Sequence, residues 1–153
     1  NMKAIEINGE IKIYNQLPKS WGGVMGNFSK LSNEEMQSYG FYDIITPSYN
    51  SRTQELSNIF WDASNKVFTY TVSNINFTQT VSELKEMQIT DLKNRFNLKL
   101  AKTDWYIIRK AERNIDIPSA ITTERNSLFV ELETKESEIN ALTDKADIVT
   151  YGN

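Results

Sequence analysis

Apolar and polar residues alternate on both sides of the Asn8-Gly9 pair, in the segment KAIEINGEIKIY (residues 3–14). Alternation with a period of two is typical of a half-buried β-strand. Asn-Gly is the pair that a type I′ turn prefers, because both central positions of that turn require a positive φ. The pattern therefore predicts an antiparallel hairpin at the start of the chain.

Short apolar and aromatic runs predict further strands in the first half. The segment FYDIITP (residues 41–47) predicts a strand that ends at Pro47. Residues 54–72 predict two strands joined by a turn at Asp62–Asn65. Before them, SNEEMQSYG (residues 32–40) predicts a short helix, because its first Ser and the Glu three positions later can form a capping box.

The apolar spacing becomes helical after residue 80. Thr80 or Ser82 provides an N-cap, and the apolar residues that follow fall on one face of a helix. The members of that face are Val81, Leu84, Met87, Leu92, Phe96 and Leu100.

A second long helix is predicted after Pro118, a residue that suits the first turn of a helix. Its apolar positions follow the a/d spacing of paired helices, interrupted by one Lys: Leu128, Leu132, Lys135, Ile139 and Leu142. This seam needs a partner, which is either the helix over residues 81–100 or the same helix of another protomer. The last residues, DIVTYGN (147–153), predict a short terminal strand.

The segment TDWYIIRKAERNIDIP (residues 103–118) joins the two long helices. Thr103 and Asp104 are good N-cap residues, so the first helix is expected to break here and restart as one short turn. Trp105 shares a face of that turn with Ile108 and is expected to be substantially buried between the long helices. Four flanking residues remain as candidates for contact with a partner: Tyr106, Arg109, Lys110 and Arg113.

Composition changes along the chain near residue 78, since most Phe, Tyr and Gly residues precede it and the charged helical pattern follows it. The boundary is placed at Asn76–Ser82. The expected fold class is α+β. Residues 1–78 form a small antiparallel sheet domain with one short helix, and residues 79–153 form a helical hairpin or coiled-coil-like arm.

The overall composition excludes several classes of chemistry. The 153 residues include no Cys and no His, which rules out Ser–His–Asp and Cys–His catalysis and removes the commonest transition-metal ligands. A formal net charge of −3 gives no basic footprint for nucleic acid. No apolar run approaches the roughly 20 residues that span a bilayer. We therefore expect no metal, no cofactor, no nucleic-acid partner and no membrane partner.

Carboxylates are the remaining acid–base candidates, and their positions favour structural roles. The Glu residues at 34–35, 83–86 and 131–138 fall on predicted helices with Lys neighbours, as on a solvated helix face. Asp62 falls in a predicted turn, where Asp is common. The Gly-rich segment 22–26 lacks the spacing of a phosphate-binding loop. No catalytic residue is predicted, and the chain is not expected to be an enzyme.

Most aromatic residues of the first half are expected to fill its core, because a small sheet domain needs large side chains for that purpose. Trp21 and Tyr49 instead fall in predicted loops. Tyr and Trp often serve interfaces. These two residues are therefore the candidates in the first half for contact with a partner or a sugar.

Residues between 80 and 132 resemble the C-terminal segment of tail-fibre-assembly and tail-assembly-chaperone-type proteins of tailed bacteriophages. In that family a helix ending in L-A-x-T-D-W leads into R-x-x-E, a Pro and a helix with Arg and Leu. The matching residues are Leu100, Ala101, Thr103, Asp104, Trp105, Arg109, Glu112, Pro118, Arg125 and Leu128. Asn114 stands where the family commonly has Gly, and Asn tolerates a left-handed backbone. The first half carries no such resemblance.

The resemblance implies a non-enzymatic assembly factor that binds a phage tail or fibre protein, like a chaperone, in the host cytoplasm. The alternative that it leaves open is a structural component of the virion tail or fibre. In that case the helix over 121–142 would form a homo-oligomer, and the aromatic sheet would face a neighbour or a host glycan.

Overall fold

A computed structural model describes residues 2–152 of the chain and has an α+β fold, which confirms the predicted class. The chain divides into two compact units, Asn1–Ile75 and Asn76–Asn153, called here the sheet unit and the helical unit. No helix in the described residues is long and apolar enough to cross a bilayer.

The sheet unit is built from short strands. They are β1 (Lys3–Ile7), β2 (Glu10–Tyr14), β3 (Tyr42–Ile45), β4 (Gln54–Leu56), β5 (Phe60–Asp62), β6 (Val67–Thr69) and β7 (Val72–Asn74). A 3-10 turn at Phe28–Lys30 and helix α1 (Asn33–Ser38) lie between β2 and β3. The larger sheet has the order β2-β1-β3-β6-β5, and β4 pairs with β7 in a separate two-stranded sheet.

Local turn and capping predictions are confirmed in this unit. Asn8 and Gly9 have φ values of 53° and 81°, as a type I′ turn requires, and β1 pairs antiparallel with β2. Ser32 and Glu35 form the predicted capping box at the start of α1. The predicted turn after β5 is present, because the backbone N–H groups of Ser64 and Asn65 donate to the Asp62 carboxylate.

The larger sheet is mixed, which differs at one strand pair from the predicted antiparallel sheet. Strands β3 and β6 are parallel, with Ile44 opposite Phe68. After β3 the chain forms β4 and then β5, which is antiparallel to β6. The tight turn after β5 returns the chain along β6 in the direction of β3. A parallel neighbour needs such a crossover, and hydrophobic alternation alone does not reveal it.

Aromatic rings fill the core on one side of this sheet. Phe28 and Phe41 are fully buried and pack with Ile5 and Met36. Other apolar residues surround them: Ile7, Tyr14, Leu17, Trp21, Val24, Leu31 and Tyr39. Most aromatics before β4 therefore stabilise the unit by packing.

The helical unit contains α2 (Val81–Ala101), α3 (Asp104–Arg113), α4 (Ser119–Ala141) and α5 (Lys145–Thr150). Thr80, one of the two predicted N-caps, begins α2 and forms a capping box with Glu83. Four residues of its predicted apolar face are buried: Leu84, Leu92, Phe96 and Leu100. Met87 was predicted to share that face but is 59% exposed.

The a/d seam of α4 packs inside the chain. Ile139 of α4 is buried with Leu92 and Phe96 of α2, and Leu128 and Leu132 pack against this cluster. The polar seam residue Lys135 places its Nζ atom 5.8 Å from the centroid of the Phe96 ring. It also forms an ion pair with Glu131 on the same helix, at 2.8 Å. The partner of the seam is therefore α2 of the same chain.

The predicted terminal strand over 147–153 is wrong, because the described part of that segment is helical and then turns. Asp144 caps α5 by accepting hydrogen bonds from the backbone N–H groups of Ala146 and Asp147. The side chain of Ile148 is fully buried, and Gln88 of α2 donates a hydrogen bond to its carbonyl oxygen at 2.9 Å. Capping and burial together favour the helix. Residue 153 lies outside the described residues.

Tyr151 is expected to make the stability of the helical unit depend on pH in the alkaline range. Burial, together with the hydrogen bond that its hydroxyl donates to Glu138, raises the pKa of Tyr151 from 10.0 to about 12. The stabilisation is complete below pH 10, the unfolded-state value, and is lost as the pH rises to about 12. Denaturant unfolding across this range should therefore show a steeper loss of stability in the wild type than in Tyr151→Phe. Equal pH slopes would contradict the expectation.

Candidate interaction surface on helix α3

The break between α2 and α3 is held by an arginine of α4. The Arg125 Nη1 atom donates to the Leu100 carbonyl oxygen at 3.0 Å, to Thr103 Oγ1 at 2.8 Å and to Asp104 Oδ1 at 2.9 Å. Thr103 is buried, and the Arg125 side chain is 14% exposed. Helix α3 therefore starts at a fixed point, since hydrogen bonds to a charged donor are among the stronger ones.

Arg125 and its three partners come from helices α2 and α4 and from the junction between α2 and α3. Thr-Asp at the helix junction and a distant Arg are far apart in sequence, yet the fold brings them into one hydrogen-bonded cluster. The cluster thus ties α4 to the junction between α2 and α3. It positions α3, and it leaves the side chains further along α3 available for other contacts.

The other end of α3 is fixed by local polar contacts. Asn114 adopts a left-handed backbone with φ 52°, a conformation common at the C-terminal end of helices. Lys110 donates to Asn114 Oδ1 at 3.0 Å and to Asp116 Oδ1 at 2.6 Å. The hydrogen bond from Lys110 lowers the pKa of Asp116. Lys110, a predicted partner-binding residue, is therefore already used within the chain.

Trp105 is not buried, which corrects the prediction that it packs between the long helices. Its side chain is 50% exposed, and those of Ile107 and Ile108 are 40% and 55% exposed. None of the residues in α3 is buried. Helical spacing identified which residues share a face, but it could not show whether that face meets another element. The segment is also a helix of ten residues, longer than the single turn expected.

A stacked cation lies on this exposed helix. The rings of Trp105 and Tyr106 have centroids 3.9 Å apart. The guanidinium carbon of Arg109 lies 4.7 Å from the Trp105 centroid and 5.2 Å from that of Tyr106. Stacking on two aromatic rings orients the Arg109 side chain before any partner binds.

The hydrogen-bonding capacity of Arg109 is unused. Its Nε atom is buried and has no hydrogen-bond partner. Within residues 2–152 the Arg109 guanidinium makes no hydrogen bond or ion pair. An oriented guanidinium recognises a carboxylate with paired N–H donors. We call Trp105, Tyr106, Ile108 and Arg109 the α3 surface, which combines this cation with half-exposed apolar side chains.

The remaining predicted binding residues lie in different surroundings. Arg113 is an exposed cation near the end of α3, and no ion pair involves it among the described residues. Trp21 packs edge-on against Phe41, with centroids 5.0 Å apart, so much of its ring serves the core of the sheet unit. Tyr49 is 41% exposed in the segment between β3 and β4.

Several carboxylates considered as acid–base candidates have structural roles. The pKa of Glu35 is lowered because it accepts a hydrogen bond from the backbone of Ser32, and Thr80 does the same for Glu83. The Asn65 side chain lowers the pKa of Asp62 in its turn. Within residues 2–152, no group of three or more acidic residues could hold a metal ion.

No family model matches this chain, and neither a curated protein nor a solved structure matches it.

Proposed function

We propose that this protein is a non-enzymatic assembly factor of a tailed bacteriophage that binds a tail or fibre protein in the manner of a chaperone. Two features support the proposal. The segment 80–132 resembles such assembly proteins. Helix α3, inside that segment, exposes apolar side chains beside an oriented Arg109. The site of action would be the host cytoplasm during phage assembly.

The observation that carries the proposal is the stacked Arg109 with its unused donors. A partner segment that fits it has a carboxylate flanked by apolar residues. The carboxylate would pair with the guanidinium, while the apolar residues would cover Trp105 and Ile108. Trp and Arg are the residue types most often found to dominate binding energy. The net charge of the chain, −3, does not itself attract an acidic partner, so the attraction is local to α3.

Trp105→Ala and Arg109→Ala are expected to weaken partner binding without unfolding the protein. Trp105 is half exposed, so its removal should cost less than about 1 kcal/mol of stability. Loss of a central interface residue should raise the Kd for the tail or fibre protein about thirtyfold or more. Calorimetric titration with the tail or fibre proteins of the same phage measures the Kd, and denaturant unfolding measures stability.

Leu98→Ala and Arg95→Ala are the matched controls, since Leu98 is 73% exposed on α2 and Arg95 makes only a surface ion pair with Asp91. Both controls should retain wild-type binding. The proposal fails if the two α3 variants bind as tightly as the controls. A stability loss of about 3 kcal/mol in Trp105→Ala would instead indicate a packing role.

The second candidate function is a structural component of the virion tail. One observation favours it: Phe129 and Val130 of α4 are 44% and 62% exposed, so α4 keeps apolar residues outside its internal seam. Val130 lies on the exposed side of this helix, beside the polar residues Ser127 and Thr134. Such a face could join copies of the chain into an oligomer through the helix over 121–142.

Mass spectrometry of purified virions separates the two candidates. An assembly factor should be absent from the finished particle, whereas a structural component should be present in it. Light scattering of the purified protein adds a second criterion, because the structural role requires an oligomer and the α3 proposal does not.

A further inference from the structure

Four strands of the sheet unit place side chains around one recess. Tyr42 of β3 lies opposite Ala4 of β1, so Glu6, two residues after Ala4, is on the same face as Tyr42. Trp61 of β5 lies opposite Phe68 of β6, which brings these two rings to the same face of their strand pair. The recess has a volume of about 180 Å³ and is lined by Glu6, Gly40, Tyr42, Trp61 and Phe68.

The aromatic rings of the recess meet at an angle. Tyr42 and Trp61 have ring centroids 4.5 Å apart and planes inclined by 56°. Trp61 and Phe68 are 5.1 Å apart with the same inclination. Phe68 is buried and only 2% exposed, whereas Tyr42 and Trp61 are partly exposed. Tyr42 and Trp61 are therefore the two rings that present accessible surface to the recess.

The carboxylate at the recess has no partner of its own. Within residues 2–152 the Glu6 side chain makes no hydrogen bond and no ion pair. The neighbouring cation on β1, Lys3, alternates to the opposite face, where it is buried and pairs with Asp43 at 3.0 Å. The negative charge of Glu6, beside the aromatic rings of the recess, is therefore not balanced by a cation.

We propose that this recess binds an alkylated ammonium group. A cation is attracted to aromatic rings within about 6 Å, and enclosure by several rings is the usual way in which proteins recognise quaternary ammonium. The Glu6 carboxylate adds a direct charge interaction. The volume, about 180 Å³, is below the range of about 300 Å³ or more for drug-sized ligands. It suits a single headgroup or side-chain end.

The same chemistry is offered by two sources, a methylated lysine side chain of a protein and a choline-type headgroup. A sugar ring fits less well, because it needs a flat open platform and several hydrogen-bonding groups. The recess belongs to the sheet unit and shares no residue with the α3 surface. Its test is therefore independent of the proposed function, and either one can fail alone.

Titration of isotope-labelled protein with tetramethylammonium tests the proposal by NMR. The indole signal of Trp61 is expected to shift in a saturable way. Choline and a trimethyl-lysine peptide are titrated in the same way. The one that binds more tightly shows whether the recess recognises a choline-type headgroup or a methylated lysine side chain. The neutral isostere of choline, 3,3-dimethylbutan-1-ol, is expected to bind at least about tenfold more weakly, since it lacks the cation.

Glu6→Gln keeps the shape of an exposed side chain and should weaken tetramethylammonium binding about tenfold. Glu10→Gln, on the neighbouring strand β2, is the matched control and should bind like the wild type. Trp61→Leu should abolish the saturable shifts of the Tyr42 and Phe68 signals, two other residues of the recess, with the hairpin signals of β1 and β2 reporting whether the variant is folded. Equal binding of choline and its neutral isostere, or wild-type binding by Glu6→Gln, would overturn the proposal.

Discussion

Replacing Phe96 by Ala is expected to lower the free energy of unfolding of the helical unit by about 4 kcal/mol. The ring is 2% exposed and packs with Leu92 and Ile139, so the substitution leaves a cavity between α2 and α4. It also removes the face over which Lys99 and Lys135 place their ammonium groups, at 4.7 and 5.8 Å from the ring centroid. Denaturant unfolding followed by far-UV circular dichroism measures the loss.

Phe129→Ala provides the control, because it deletes the same ring from α4 at a position that is 44% exposed. It should cost less than about 1 kcal/mol. The comparison bears directly on function, since it identifies which apolar residues of the arm are free to meet a partner. Similar losses for both variants would mean that the α2–α4 seam is not the core of the unit.

Features determined by neighbouring residues were predictable from the sequence. The Asn8-Gly9 turn depends on two backbone angles that few residues other than Asn and Gly adopt. The capping box of Thr80 and Glu83 depends on hydrogen bonds between residues three positions apart. Such local preferences do not change with the rest of the fold, which is why the ends of several elements were correct.

Features determined by distant residues were not predictable in the same way. The parallel pairing of β3 and β6 depends on the path of the chain between them. The terminal segment around Ile148 became helical because α2 provides a surface that buries this residue and Gln88 binds its carbonyl. The exposure of Trp105 follows from where α3 leaves the packed pair of long helices. Periodicity identifies faces, but it does not identify their neighbours.

The α3 surface shows the same difference between features set by neighbouring residues and features set by distant ones. Sequence alone grouped Arg109 with Lys110 and Arg113 as equivalent cations. In the folded chain Lys110 is bound to Asp116, and Arg109 is stacked on Trp105. The stacking had a sequence signal, the i,i+4 spacing on a helix. The hydrogen bonds of Arg125 to Leu100, Thr103 and Asp104 had no such local signal, because these partners lie more than twenty residues away.

Phe41→Ala is expected to destabilise the sheet unit by about 4 kcal/mol. Its ring is fully buried, with centroids 5.5 Å from Tyr14, 5.0 Å from Trp21 and 5.1 Å from Phe28. Each aromatic pair contributes about 0.5–1.5 kcal/mol beyond the area that it buries. Hydrogen exchange of the β1 and β3 amides, measured by mass spectrometry, reports the stability of this unit.

Phe60→Ala is the matched control, because Phe60 is 40% exposed on β5 and lies outside the ring cluster. It should change the exchange of the β1 and β3 amides little, by less than about 1 kcal/mol. The result also bears on whether Trp21 is a core residue or a contact residue, because its ring packs edge-on against Phe41. If Phe41→Ala causes the large loss, the edge-on packing of Trp21 is part of the core, and the binding candidates of the sheet unit reduce to Tyr49 and the recess beside Glu6. A small loss would contradict this and restore Trp21 as a contact residue.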